Sequence, residues 1–225
     1  MAKALATARW RGQIAGMDMQ PSPDPFGIDS LDALESLYDT PSELVRGKVG
    51  GRIDAVTARF IAASPFVLLG TQGQRGIHIT PRGDPAGFVA VVDEQTLILP
   101  DRRGNNRIDA LRDILEDDRV SLLIMVPGGG ETLRVHGHAR ITTDPALRAR
   151  HVAQGREPTS LLVIRVTSLF MQCAKALMRS KLWDGRARPE GLPSMGQLMA
   201  SQVPGLVESA SMDSTYPERI RSTMY

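Results

Sequence analysis

Residues 66–101, FVLLGTQGQRGIHITPRGDPAGFVAVVDEQTLILPD, decide how this chain folds. The apolar run FVLLGT leads into the glycine turn QGQRG and then the alternating segment GIHITPR, which has the two-residue period of a strand with one buried face. The pattern repeats at once, because GFVAVVD and TLILPD are separated only by Glu94 and Gln95. Four strands with tight connections are predicted between Phe66 and Pro100, forming an antiparallel meander.

Upstream the period is helical. Leu31, Leu34, Leu37 and Tyr38 share one face behind a cap at Asp29 or Ser30, and Ile53, Val56 and Phe60 form the stripe of a second helix broken near Gly50 and Gly51. The proline-rich PSPDPF ends an N-terminal arm over residues 1–27, which has no apolar run followed by a cleavage site. Residues 28–64 are predicted as helices packing on a barrel.

Downstream, PDRRGNNRIDALRDILEDDRV (residues 100–120) interrupts the strands with a helix carrying Ile108, Leu111, Ile114 and Leu115 on its apolar side. Asn106 is its predicted N-cap, with Asp109 three residues on as in a capping box. VSLLIMVP and ETLRVHGHARITT then flank a GGG turn, DPALRARHVAQG opens a short helix at Asp144 and Pro145, and SLLVIRVTSLFMQC is the last long strand. Hairpin-linked strands with few inserted helices predict a mainly β fold with flanking helices. Its core, residues 65–174, is a closed or nearly closed antiparallel barrel of six to seven strands. Residues 175–225 form an extension with a short amphipathic helix around Met195 to Met199, apolar enough to pack across a partner subunit.

The totals narrow the function. A length of 225 residues with 42% hydrophobic content supports a sizeable core. A net charge of +2 and only 4% aromatic residues argue against a nucleic-acid binder. One cysteine, Cys173, allows no internal disulfide and fits a cytoplasmic setting, and no apolar run is long enough to span a membrane.

The chemistry concentrates where the fourth strand meets the helix. Arg102, Arg103 and Arg107 surround Gly104, Asn105 and Asn106 just before a helix N-terminus, whose unpaired N–H groups and dipole attract phosphate. The alternative is a solvated surface in which Asp101, Asp109, Asp113 and Glu116 pair with those arginines. Arg82, ending the second strand, joins the same pocket if the two strand ends meet in space. Elsewhere the signals are bland. His136 and His138 read as surface polar residues, Cys173 as buried and inert, and Trp183 as a packing residue or a surface for stacking a flat ligand; no metal site is predicted.

TPRGDPAGFVAVVDEQTLILPDRRGNNRIDALRDILEDDRVSLLIMVPGGGETLRVHGHARI resembles the FMN-binding split β-barrel superfamily of pyridoxamine 5′-phosphate oxidase. PDRRGNNRIDALRDILEDDRVSLL, with RVHGHARI and the later KALMRSKLWD, is similar to a bacterial subgroup described as FMN-dependent. The resemblance implies a homodimer with FMN in a groove between subunits and its phosphate held by basic residues. By position, Arg82 matches the basic residue closing the phosphate-binding strand, and Pro100, Asp101 and Arg102 match the strand end along the flavin. Asn105, Asn106 and Arg107 match the cluster opening the helix; Arg103 joins them on charge and proximity, and Lys175, Arg179 and Trp183 fall where relatives reach flavin or substrate across the dimer. The tail lacks the arginine and histidine pair of true pyridoxamine 5′-phosphate oxidases, which speaks against vitamin B6 oxidation. The implied activity is an FMN-dependent oxidoreductase acting on a small substrate or a nicotinamide donor, with no protein residue singled out as catalytic. A non-catalytic flavin-binding or sensing protein, or a relative using deazaflavin or haem, is the alternative.

Overall fold

A computed structural model of the chain describes residues 25–225, so most of the predicted N-terminal arm lies outside the described residues. The contacts divide the chain into Met1–Arg46 and Gly47–Tyr225.

In the first unit, helix α1 (Leu31–Glu35) is capped by Ser30, whose hydroxyl accepts from the Ala33 amide at 3.2 Å. It is shorter than its apolar spacing predicts, so Leu37 and Tyr38 fall beyond its end. Helix α2 (Glu43–Gly47) follows. The second predicted helix is thus two, because α3 (Ala55–Ala63) starts only after the Gly50–Gly51 segment, at an Asp54 cap.

The second unit is built on seven strands: β1 (Phe66–Gly73), β2 (Gly76–Gly83), β3 (Ala90–Asp93), β4 (Thr96–Asp101), β5 (Arg119–Met125), β6 (Thr132–Thr142) and β7 (Ser160–Gln172). All pair antiparallel, in the order β2-β1-β5-β6-β7-β4-β3. The two predicted hairpins form, but the four-strand meander does not: β1–β2 and β3–β4 lie at opposite ends of the sheet, and the true meander is β5–β6–β7. Local alternation specifies each hairpin. It carries no information on which strand inserts between them.

This order forces the sheet to curl. Laid flat, six inter-strand gaps would put β2 and β3 about 29 Å apart, while the seven Cα steps from Gly83 to Ala90 reach at most about 25 Å. A turn in that connection, closed by the Phe88 amide donating to the Pro85 carbonyl at 3.2 Å, shortens its reach further. The result is an antiparallel split barrel with flanking helices, whose two edge strands have no ladder between them. Alternate residues fill its interior: Val67 and Leu69, Leu97 and Leu99, Val120, Leu122 and Ile124, Leu133 and Val135, and Leu162 and Ile164 are all buried.

Helix α4 (Asp109–Glu116) plugs one side of the barrel with Ala110 and Ile114. Its buried face also carries Asp113, which accepts from the Thr71 hydroxyl at 2.8 Å and lies 2.6 Å from His78 Nδ1, tying the helix to β1 and β2. Leu115, predicted on the buried side, is 78% exposed instead. Helix α5 (Pro145–Ala149) begins at Asp144 and Pro145 as predicted. After β7 come α6 (Lys175–Ser180), α7 (Met195–Gln202) and α8 (Ser209–Thr223), the last with Pro217 inside it and unpredicted. The α7–α8 pair is closed at Gly196, whose amide donates to Asp213 Oδ1 at 2.7 Å, and by the Ser194 hydroxyl on Asp213 Oδ2.

Candidate functional site

The curl brings the end of β2 to the end of β4. Arg82 Nη1 lies 2.5 Å from Asp101 Oδ1, and Arg102 Nε lies 2.6 Å from Asp84 Oδ2. Between these strand ends and the start of α4 opens a cleft of about 550 Å³. Eight of the residues predicted to bind a cofactor line it: Arg82, Pro100, Asp101, Arg102, Arg103, Asn105, Asn106 and Arg107. Lys175, Arg179 and Trp183 do not; they lie in or just after α6, where the Trp183 indole donates to the Gly129 carbonyl of the β5–β6 loop at 2.8 Å.

The four arginines differ in what already holds them. Arg102 is committed, since it also donates to the His151 carbonyl at 2.7 Å and its partner Asp84 is almost fully buried. Arg107 pairs with Asp109 at 3.0 Å but is largely exposed. Arg82 pairs with Asp101 through Nη1 while its Nε is buried without a hydrogen-bond partner. Arg103 makes no side-chain hydrogen bond or ion pair among the described residues. The salt-bridged surface reading therefore holds for Arg107 with Asp109, whereas Arg102 is held by the buried Asp84 instead and Arg103 keeps its donors.

The helix start also differs from expectation in a way that favours an anion. Asn106 is not the N-cap: it sits at φ 60°, in the left-handed region that asparagine tolerates better than most residues. Ile108 occupies the cap position and supplies no side-chain acceptor, so the first-turn amides of α4 keep their hydrogen-bonding capacity. Asp109 in that turn is offset by two cations, since Arg75 first and then Arg107 hold its carboxyl below the usual carboxylate range. The Arg107 amide donates to Asn105 Oδ1 at 3.0 Å, fixing the loop that presents these groups.

The remaining lining is apolar or neutral. Pro81, Phe88, Ile108 and Leu111 come from the barrel side, and Tyr216 and Ile220, one turn apart on α8, come from the extension. The i, i+4 spacing of that last pair was the available signal, and Pro217 between them masks it. A basic rim beside an apolar wall suits a ligand with an anionic end and a flat apolar body.

Among the described residues no group of His, Cys, Asp and Glu is placed to hold a metal ion. His138 pairs with Asp118 at 2.7 Å, and His136 and His138 share the outward face of β6 on either side of the buried Gly137. Cys173 is exposed rather than buried, because it lies at the end of β7. Its thiol is held below the usual value, chiefly by the Lys175 amide. No helix of the described residues is long and apolar enough to cross a membrane.

His151 connects the cleft to pH. Burial pushes its imidazole below the usual 6.5, and Arg102 and Arg150 add to the shift. The unfolded chain therefore takes up a proton near 6.5 that the folded chain resists, so stability is lost as pH falls below 6.5 and the loss levels off once the folded imidazole titrates. Denaturant midpoints measured on either side of pH 6.5 should show this slope, and His151→Gln should flatten it.

Comparison with known proteins follows the same lines. The sequence model of pyridoxamine 5′-phosphate oxidase matches residues 53–173, more than half of the chain. No curated protein matches the sequence. Among solved structures, HupZ of Group A Streptococcus is similar over 54% of this chain and 94% of its own, with 16% identity and a TM-score of 0.45. General Stress Protein 26 of Bacillus anthracis is 16% identical over 50% of this chain and 88% of its own, with a TM-score of 0.40. The FAD binding protein of Mycobacterium smegmatis is 14% identical over 54% of this chain and 95% of its own, with a TM-score of 0.38. With its match running from Ile53 through the whole split barrel to Cys173, the chain belongs to the pyridoxamine 5′-phosphate oxidase family.

Proposed function

We propose that the cleft binds FMN and that the protein is a flavin-dependent oxidoreductase acting on a small molecule or a nicotinamide donor. The observation that carries this reading is the convergence of uncommitted groups on one apolar-walled cleft: Arg103 and the first turn of α4, which has no side-chain cap, beside Arg82 and Arg107. Arg82, Arg103 and Arg107 would hold the phosphate, and the Asn105 and Asn106 amides would meet ribityl hydroxyls. Phe88, Pro100 and Leu111 would exclude water from the ring. When bound, the flavin supplies hydride-transfer chemistry, and the chain's share is orientation, electrostatics and desolvation. The one carboxylate lining the cleft among the described residues, Asp101, is paired with Arg82, which fits a site that needs no protein acid or nucleophile. Anaerobic addition of NADH or NADPH to the FMN-loaded protein tests the activity. Bleaching of the flavin band supports the oxidoreductase, and a bound flavin that neither donor nor a reductase partner can reduce supports a non-catalytic flavin carrier.

The proposal includes a homodimer. On the outer face of the sheet, Ile79 of β2 and the row Pro81–Leu68–Leu123 form an apolar stripe, with Ile77 and Ile79 76% and 70% exposed on an edge strand. Such a stripe is what a second copy of the chain would cover, and it would let Lys175, Arg179 and Trp183 reach the other subunit's flavin. Ile79→Lys should shift the protein toward monomer in sedimentation velocity, whereas an unchanged dimer would remove this face from the interface. A cytoplasmic location fits the same reading.

A further inference from the structure

Beside the cleft lies a second cavity of about 340 Å³, lined by Arg102, Arg103, Arg156, Glu157, Thr159 and Tyr225. It shares Arg102, Arg103 and Thr159 with the cleft. Its charges do not cancel internally. Arg102 is neutralised by Asp84 at 2.6 Å, and Glu157 is already paired with Arg148 at 3.2 Å. Arg103 and Arg156 make no side-chain hydrogen bond or ion pair among the described residues, so two of the arginines that line the cavity are without a counter-charge of their own. Arg156 is set by a tight turn in which its amide donates to the Ala153 carbonyl at 2.9 Å and the Ala153 amide donates to the Arg156 carbonyl at 3.0 Å. The opposite wall is equally fixed, since the Tyr225 hydroxyl donates to Asp84 at 2.7 Å, the carboxylate that also holds Arg102. Tyr225 lies outside the residues that match the family model, so this wall belongs to the chain's own extension.

We propose that this cavity is a second anion site, binding a phosphate or carboxylate additional to the phosphate in the cleft. The volume is that of a small-molecule site, Arg156 lines it without a counter-charge, and Arg103 lines both cavities so that it can contact an anion in either. On the FMN reading, on which this part rests, the second anion comes either from an acidic substrate lying against the flavin or from a cofactor extended beyond its first phosphate.

The test uses the full chain. Inorganic phosphate is titrated calorimetrically into FMN-loaded protein, so that the cleft is already filled, and FMN and FAD affinities are compared on flavin-free protein. For a substrate site, phosphate binds the FMN-loaded protein, Arg156→Ala weakens it by about tenfold or more, Arg156→Lys keeps most of it, and FMN affinity is unchanged. For an extended cofactor, FAD binds tighter than FMN and Arg156→Ala abolishes that preference. Phosphate binding and FAD preference that are both indifferent to Arg156→Ala would overturn the second site. If the protein binds no FMN, the flavin reading fails by itself. Phosphate titrated into the flavin-free chain still decides this one: loss in Arg156→Ala that Arg107→Ala does not reproduce supports it, and no loss in Arg156→Ala overturns it.

Discussion

Arg103→Ala is expected, on the proposed flavin site, to lower FMN affinity by about 10- to 100-fold while leaving the fold intact. A hydrogen bond between ions is worth about 1.5–3 kcal/mol, and each 1.4 kcal/mol is a factor of ten in affinity. Arg103 is the cleanest of the cleft arginines to test, because it has no partner among the described residues and its loss strands no carboxylate. Arg82→Ala is less clean, since it would leave Asp101, 15% exposed at its side chain, without its cation. Arg107→Ala should weaken binding less than Arg103→Ala, as Arg107 is 76% exposed and shared with Asp109. Fluorescence titration of the three variants gives the order directly. Equal FMN affinity in Arg103→Ala and the parent protein would remove the arginine corner from the flavin site.

The second large effect is on stability. Gly137 sits at the β6–β7 bulge, where a Cβ would lie 2.3 Å from the Arg165 carbonyl oxygen and 3.2 Å from the Ile164 side chain. The nearest obstacle is backbone in a central strand pair, which cannot move aside without breaking the ladder that also carries β4. Gly137→Ala should therefore cost about 3 kcal/mol or more, which in a domain of this size lowers Tm by roughly 6–12 °C. Gly50→Ala, where a Cβ meets nothing within 4 Å, is the control and should cost little. A thermal melt that did not distinguish the two would contradict the register given for β6 and β7.

How much of this was legible in the sequence depends on the range of the interaction that decides it. Alternation over Phe66–Gly73 and Thr96–Asp101 is local, and those strands appear where it places them. The insertion of β5, β6 and β7 between the two hairpins depends on burial partners far along the chain, which periodicity does not encode. The arginine corner was visible because Arg102, Arg103 and Arg107 are neighbours in sequence. Arg82 reaches the same cleft only because the sheet curls. Asn106 was misread as a cap because asparagine suits both the N-cap and the left-handed conformation, and composition does not choose between them. Cys173 was misread as buried because the apolar run before it continues the strand but not the core. Tyr225 and Arg156 carry no sequence signal of their own, and only the fold sets them around one cavity.

The most direct test of the flavin site is the visible absorption spectrum of the purified protein, taken before and after incubation with FMN and removal of the excess by gel filtration. The predicted result is a retained flavin spectrum at about one FMN per subunit, as equivalent sites in a symmetric dimer require, with markedly less retained by Arg103→Ala. A protein that emerges without flavin, at concentrations where the folded barrel is intact, would contradict the assignment of the cleft to FMN and with it the oxidoreductase reading.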